Sequence, residues 1–424
     1  MEWIRLQKIS KEQNRISYDF EVSDGLKGYF SGKPFFVEYP DCIEEVPDGI
    51  CAVPFVSSVL PMMWICDTQL EVPALDKAFY DCITQLKKGY EAMYPETTFA
   101  GALQVGEVQD CVPAVTGRCG AYFSGGLDSV QTLIRHLEEK PDLISIWGSD
   151  VTVDNEEGWR IVSRPIREYA ENYGLKAVTI RSGFRAFDLE WELDKVYEQQ
   201  LRSNWWYGVK HGLALLGQSA PYAYVHGLTT IYIASSNSED EIEIRCASDP
   251  TLDNHVRFAA CQVVHDGFEF GRQAKVRNIA AYVRRTGEKL PLHVCWESQS
   301  GSNCCECEKC YRTMVGLMAE GEDPVNYGFE QGIETLGKMR KVLIGDKKIK
   351  ENVAVEWLTV HQAIVRNQEN LRDKPFWKHI QWIVDADFEH PNEIKLPLTY
   401  RLRMWLVQFP LLQKIYNIRK IFTK

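Results

Sequence analysis

The sequence has no excess of positive charge: 48 Lys and Arg stand against 59 Asp and Glu, a net charge of −11. Such a chain repels polyphosphate surfaces unless a local patch reverses the field, so nucleic acid is not expected as its main partner. An apolar N-terminal run is also missing. Met1-Glu2-Trp3-Ile4-Arg5 carries charges where a signal peptide needs its apolar centre, and no small-residue cleavage site follows, so secretion is not expected. The longest uncharged stretch, His211 to Ser238, is interrupted by Gly212, Gly217, Gln218, Pro221 and Gly227 and is rich in hydroxyls. That composition does not suit a membrane span, and a soluble, cytoplasmic protein is expected. Internal repeats and low-complexity tracts are absent, which argues against a solenoid or a disordered chain.

What is present is a long chain with a large core. At 424 residues, 45% apolar and with 12 tryptophans, it has material for roughly two to four domains folded throughout. Its 13 cysteines are odd in number, and four of them fall within Cys304 to Cys310, too close together for an ordinary disulfide framework. A reducing compartment and a bound metal fit better.

Three parts are expected along the chain. Residues 1–110 mix short aromatic and β-branched runs (Ile16 to Val22, Tyr29 to Tyr39, Val53 to Cys66) with a helical stretch near Leu75 to Met93, which reads as an α+β domain. Residues 111–323 alternate strand and helix: Gly120 to Phe123, Ser129 to Leu137, Leu143 to Trp147, Gly158 to Asn172, Lys176 to Ile180, a long helical region near Asn204 to His226, and Thr230 to Ala234. Such alternation predicts an α/β fold with a doubly wound parallel sheet covered on both faces. Residues 324–424, rich in Lys, Glu and Trp, predict a helical C-terminal domain.

Within the middle part, Tyr122-Phe123-Ser124-Gly125-Gly126-Leu127-Asp128-Ser129 runs from an apolar strand through two glycines into a helical pattern. Glycines let backbone N–H groups turn toward one point, and the helix that follows adds unpaired N–H groups and its dipole, which together make an anion cradle. The hydroxyls of Ser124 and Ser129 add donors. Asp128 would repel a phosphate unless a divalent cation lay between them, so it is assigned to Mg²⁺ carried by the phosphates. An ordinary capped strand-to-helix turn is the bland reading. Ser-Gly-Gly-x-Asp-Ser arises by chance in a chain of this length on the order of once in a thousand, which favours the cradle. No lysine follows in the Walker manner, so nothing is placed to serve a γ-phosphate.

A second constellation is Cys295-x8-Cys304-x2-Cys307-x2-Cys310. Four thiolates from a strand end, a tight knuckle and the first turn of a helix can converge as the tetrahedron Zn²⁺ prefers, with Cys305 pointing elsewhere. A redox pair would leave Cys295 and a third knuckle cysteine unexplained. Four sulfur ligands leave no open position, so the site is read as structural rather than hydrolytic.

The loop resembles the signature of the PP-loop ATP pyrophosphatases. That resemblance implies a HUP-like nucleotide-binding fold in which the β- and γ-phosphates of ATP sit on the loop and a substrate oxygen attacks the α-phosphorus. Loop and cysteines together, over about Cys119 to Met318, resemble the 7-cyano-7-deazaguanine synthase branch. In it, Ile231-Tyr232-Ile233-Ala234 followed by Asn237-Ser238-Glu239-Asp240 looks like that family's strand and Asn-x-x-Asp, which puts Asn237 and Asp240 at the carboxyl end of the sheet facing the loop. Residues between Asp240 and His293 and both flanking parts depart from the synthase pattern, so the substrate does not carry over.

Weaker signals each have a plainer reading beside the functional one. Arg257, Arg272, Lys275 and Arg277 form a basic cluster; Arg272 and Lys275 share a helix face and are candidates to neutralise ATP phosphates, with a solvated face equally consistent. His265-Asp266 reads as a turn-forming pair rather than an acid-base pair. Trp205, Trp206 and Tyr207 read as core. Cys246 and Cys261 read as buried apolar side chains, with a persulfide role as the alternative. The basic stretch Ile394 to Lys424, with Leu411, Ile415, Ile418 and Phe422 on one stripe, reads as a helix docking on the protein itself, a contact with an anionic membrane being left open.

The expected function is an ATP-dependent adenylating ligase using Mg²⁺ and Zn²⁺. Its acceptor, a small molecule or a protein terminus, carries a carboxylate or carbonyl oxygen, and pyrophosphate release precedes formation of a C–N bond. Sulfur transfer and a non-catalytic nucleotide-sensing module are the alternatives. A homodimer is left open.

Overall fold

The computed structural model describes residues 2–239, 245–295, 297–298, 301–346, 349, 351–390 and 394. Asp240 and the basic stretch after residue 394 lie outside the described residues. The chain divides into two compact units, Met1–Gly271 with Gln299–Gly301 and Arg272–Ser298 with Ser302–Lys424. The boundaries expected at 110/111 and 323/324 are not where this division falls.

Among the described residues the first unit holds one 11-stranded sheet. Its strands are β1 (Glu2–Glu12), β2 (Arg15–Val22), β3 (Phe35–Glu38), β4 (Thr68–Asp76), β5 (Ala102–Gln109), β6 (Cys119–Tyr122), β7 (Asp142–Trp147), β8 (Ala177–Ser182), β9 (Thr230–Ala234), β10 (Arg257–Phe258) and β11 (Cys261–Asp266). The order is β10-β11-β9-β6-β7-β8-β3-β2-β1-β4-β5. The fold is therefore α/β with a mostly parallel, mixed sheet. The N-terminal strands do not make a sheet of their own: β3 pairs antiparallel with β8 through Val37↔Ser182 and Glu38↔Arg181. Sequence alternation cannot reveal this, because a two-pair junction leaves no periodic trace.

Strands β8, β7, β6, β9 and β11 are mutually parallel. Starting from β6, the chain adds β7 and β8 on one side, then returns to add β9 and β11 on the other, an order of 3-2-1-4-5. Such an order has one crevice where the winding reverses, outside the carboxyl ends of its first and fourth strands, and there ligands bind. Here those strands are β6 and β9, paired by Cys119↔Thr230, Gly120↔Ile231 and Ala121↔Tyr232. All four residues of β6 are buried, as a strand covered on both faces requires.

One element differs in kind from expectation. Val53 to Cys66, with several β-branched residues, runs along the helix Asp48–Ile65 to its C-cap Cys66, and 16 of the helix's 18 residues are buried. Its apolar run is too long for a strand, and burial on all sides overrides the local preference for extended structure. Gly217 packs against it so closely that a Cβ there would stand 1.9 Å from Ser57 Oγ. This is also the one helix among the described residues long and apolar enough to cross a membrane, yet 94% of that window is buried inside the protein. The expected long helix over Asn204 to His226 is broken into a π-turn, Trp206–Lys210, and the helices Leu213–Gly217 and Ala220–His226, at Gly212 and near Pro221.

The second unit is helical, with Arg272–Thr286, Glu308–Ala319, Gly332–Lys341 and Glu351–Leu371 its longest helices. Tyr311, Met314, Leu317 and Trp357 are fully buried in it. Arg312, 5% exposed, is paired with Glu308 at 3.3 Å and Glu356 at 2.5 Å.

Candidate functional site

The chain leaves β6 at Tyr122 and turns through Ser124, Gly125 and Gly126 into the helix Leu127–His136. Gly125 has φ +75°, a left-handed conformation that side chains rarely adopt. Gly126 is the N-cap and has no side chain to cap with, so the positive end of the helix dipole at Leu127 adjoins the loop, an arrangement that suits an anion. The two hydroxyls are tied together rather than loose. Ser124 and Ser129 Oγ lie 3.2 Å apart, Ser129 Oγ donates to the Gly126 carbonyl at 3.1 Å, and Gly126 N donates to Ser124 Oγ at 3.3 Å. Ser124 is exposed, Ser129 is buried, and Asp128 in the first helical turn is partly exposed. Leu127 is 2% exposed, so only its backbone can serve a ligand.

Across the crevice, the residues after β9 are fixed by their own bonds. Ser235 Oγ donates to the Asn237 carbonyl at 2.7 Å, and Tyr207 OH donates to Asn237 Oδ1 at 3.2 Å. The β6–β9 register brings the Ser124 to Ser129 loop and Asn237 to neighbouring strand ends. Arg272 and Lys275 belong to the other unit. Arg272 is engaged by Thr313 Oγ1 at 3.2 Å and Glu356 at 3.2 Å, and Lys275 is 1% exposed, so neither forms the solvated face weighed above.

In the second unit the four predicted cysteines converge. The Sγ atoms of Cys295, Cys304, Cys307 and Cys310 all lie within 4.8 Å of one another. Cys295 to Cys307 and Cys304 to Cys310 are each 3.9 Å, close to the about 3.8 Å between sulfurs set tetrahedrally 2.3 Å from zinc. Cys307 is the N-cap of the helix Glu308–Ala319, and its sulfur accepts from Cys310 N at 3.4 Å; Cys304 Sγ accepts from Glu306 N at 3.4 Å and Cys307 N at 3.2 Å. Hydrogen bonding from Cys310 holds the Cys307 thiol down to about 5 against the opposing effect of burial, whereas burial pushes Cys304 up to about 11. Cys310 is pushed up, first by its bond to the Cys307 sulfur. An all-sulfur donor set of this geometry fits a metal ion such as zinc. Cys305 stays out of the cluster as expected; it occupies the left-handed turn of the knuckle with φ +57°, and its thiol points to the Asn303 carbonyl at 3.7 Å.

No protein-family model, curated protein or solved structure matches this chain. The chemistry of the two sites therefore stands on their residues.

The weaker sequence signals separate. His265 and Asp266 are both buried at the end of β11 and face opposite ways, as adjacent strand residues must, so they form neither a turn nor a pair. His265 Nδ1 meets Asp253 Oδ2 at 2.9 Å, an oxygen that also accepts from Ser248 Oγ at 2.7 Å. Asp266 instead accepts from Thr132 Oγ1 at 2.7 Å and faces His136 Nε2 at 3.1 Å. Trp205 is core at 1% exposure, but Tyr207 reaches the crevice through Asn237. Cys246 and Cys261 are 1% and 2% exposed, and burial pushes the Cys246 thiol up to about 12. Sequence reading missed His211, whose Nδ1 lies 3.7 Å from Cys246 Sγ, because 35 residues separate the two.

Proposed function

We propose that this chain binds ATP on the Ser124 to Ser129 loop and uses it to adenylate a carboxylate or carbonyl oxygen of an acceptor, releasing pyrophosphate, after which a nitrogen nucleophile displaces AMP to form a C–N bond. What carries the reading is position: a glycine-rich anion cradle stands at the carboxyl end of β6, where the winding of the parallel strands reverses, with Asn237 at the adjoining strand end. A cradle made of N–H groups and hydroxyls, without a lysine for the γ-phosphate, suits pyrophosphate as leaving group better than transfer of a terminal phosphoryl group. Mg²⁺, when bound between phosphate oxygens and Asp128, would neutralise the charge that builds on pyrophosphate. The resemblance to PP-loop ATP pyrophosphatases agrees with each of these points. Sulfur transfer is less well supported, since neither Cys246 nor Cys261 has the exposure or the lowered thiol pKa of a persulfide carrier.

The test uses ATP labelled on the α- and γ-phosphates, the full-length protein, and the small molecules released when the purified protein is denatured. AMP and pyrophosphate are expected, and Asp128→Ala should abolish them while shifting the melting temperature by less than about 2 °C. ADP and phosphate as the sole products would overturn the assignment, and tight ATP binding without turnover would favour a sensing module.

A further inference from the structure

The proposed reaction needs a group to take a proton from the attacking nitrogen. The one carboxylate of the loop, Asp128, is assigned to Mg²⁺, and the Ser124 and Ser129 hydroxyls are already bonded within the loop. The segment Trp206–Lys210 is a π-turn, a distortion found frequently at functional sites. Its far end is pinned by Lys210, 1% exposed, whose ammonium donates to both Asp188 oxygens at 2.8 Å and to the Phe184 carbonyl at 2.7 Å. Within it Tyr207 is bonded to Asn237, and the Tyr207 ring stacks on His211 with centroids 6.2 Å apart and planes 20° apart. Trp206 meets the same imidazole edge-on at 5.2 Å. A chain of direct contacts thus runs from the residue beside the loop to His211.

The two ring nitrogens of His211 differ. Nδ1 faces Cys246 Sγ at 3.7 Å, while Nε2 has no hydrogen-bond partner among the described residues, and His211 itself is partly exposed. In the tautomer that directs Nδ1–H at the sulfur, the one a proton acceptor at Nε2 requires, the lone pair stands on Nε2. Burial is the largest influence on the imidazole and lowers its pKa; Asp253 and Asp150 oppose it, and Arg185 and His265 add to it. The ring is therefore neutral at neutral pH, as a proton acceptor must be.

We infer that His211 accepts, at Nε2, the proton released when an amine attacks the adenylate. This rests on the reading proposed above and extends it to the nucleophile. The amine nitrogen bonds to the activated carbon, and the bond from that carbon to the AMP oxygen breaks with its electron pair leaving on AMP. The ammonium proton passes to Nε2. Tyr207 and Asn237 are positioning residues that hold the imidazole toward the nucleotide.

Diethyl pyrocarbonate, which reacts with an accessible unprotonated imidazole nitrogen, tests this on the full chain, with the modified peptide read by mass spectrometry and MgATP binding measured separately by equilibrium dialysis. His211 should be modified in the free protein, at a rate rising with pH through a midpoint below the ordinary value of about 6.5. Saturating MgATP should slow that reaction at least tenfold, and Asp128→Ala should lose the protection while keeping the reactivity. In the AMP-forming assay, His211→Gln should bind MgATP within about twofold of the parent and turn over about 10²-fold more slowly, without the acidic limb of the pH profile. An unreactive His211, protection missing although MgATP is bound, or full turnover by the Gln variant would each overturn the inference. A parent protein that binds no MgATP would defeat the proposed function itself, and the dialysis arm reports that separately.

Discussion

The loop after β6, the proposed anion cradle, and the four-cysteine knuckle, the candidate metal site, are made of opposite materials. The loop presents mainly backbone, and Ser124, Gly126 and Ser129 already satisfy one another through bonds of 3.1–3.3 Å, so its shape does not depend on a ligand. The knuckle presents four side chains whose sulfurs crowd within 4.8 Å, with Cys307 drawn toward the thiolate and Cys310 away from it. Without a cation such a cluster cannot ionise fully; with one, all four thiolates are compensated. Chemistry can therefore be removed from the first site without unfolding it, whereas the second joins ligand binding to folding.

The largest expected effect follows from that contrast. Cys307→Ser removes a metal ligand while leaving a hydroxyl that can still cap Glu308–Ala319, so the full chain should lose its metal and the second unit its cooperative melting transition, because site formation and local folding are one event. Asp128→Ala should do the reverse, keeping metal and melting while losing turnover. Metal at full stoichiometry in Cys307→Ser would break the comparison, and elemental analysis finding iron with acid-labile sulfide in the parent would replace zinc by a cluster.

An intermediate effect probes how the first site is framed. Asp188→Ala leaves the Lys210 ammonium buried with its nearest counter-charge gone, a loss of about 3–5 kcal/mol in urea denaturation. Lys210→Met should cost less, because burial already raises the Asp188 carboxyl to about 6 and without the ammonium it can take up a proton. Equal losses for the two variants would mean that Asp188 stays ionised without its partner.

Both sites were legible in the sequence because each is local. The loop lies within Ser124 to Ser129, and three of the four cysteines lie within Cys304 to Cys310, so spacing alone carries the geometry. Strand β9 could be placed because its apolar run ends in a polar cluster. Contacts made by folding were not legible: Tyr207 to Asn237 spans 30 residues and His211 to Cys246 spans 35, and no local pattern announces either. The helix Asp48–Ile65 differs from the extended reading because a fully buried apolar run carries no periodicity that separates helix from strand, and only its length favours the helix. The joining of β3 to β8 rests on two residue pairs, too few to leave a periodic trace.

The smallest effect concerns the far end of the helix that begins at the loop. His136 closes Leu127–His136, stacks on Tyr232 at 3.7 Å, and directs Nδ1 to Glu139 at 2.7 Å and Nε2 to Asp266 at 3.1 Å. Arg135 also reaches Asp266 at 3.4 Å and Glu269 at 2.6 Å. Burial, the largest single influence, would lower the imidazole, but hydrogen bonds and charge from Asp266 and Glu139 together outweigh it and raise His136 above its ordinary value; burial likewise would raise the two acids, but His136 with Thr132 and Arg135 at Asp266, and His136 with Tyr232 at Glu139, outweigh it and lower both. A raised base stabilises fully below its unfolded pKa, near 6.5, and loses that contribution as pH climbs through the folded value. Lowered acids stabilise fully above their unfolded values, near 4, and lose it as pH falls through the folded ones. The cluster is therefore strongest between about pH 4.5 and 6.5. His136→Gln should cost of order 1 kcal/mol in urea denaturation at pH 5.5, an amount limited by the partial exposure of the ring, and progressively less toward pH 8.5. If the difference between the two proteins stays constant across that range, the imidazole is neutral in the fold throughout. Its stacking on Tyr232, and not its charge, then holds the helix to β9.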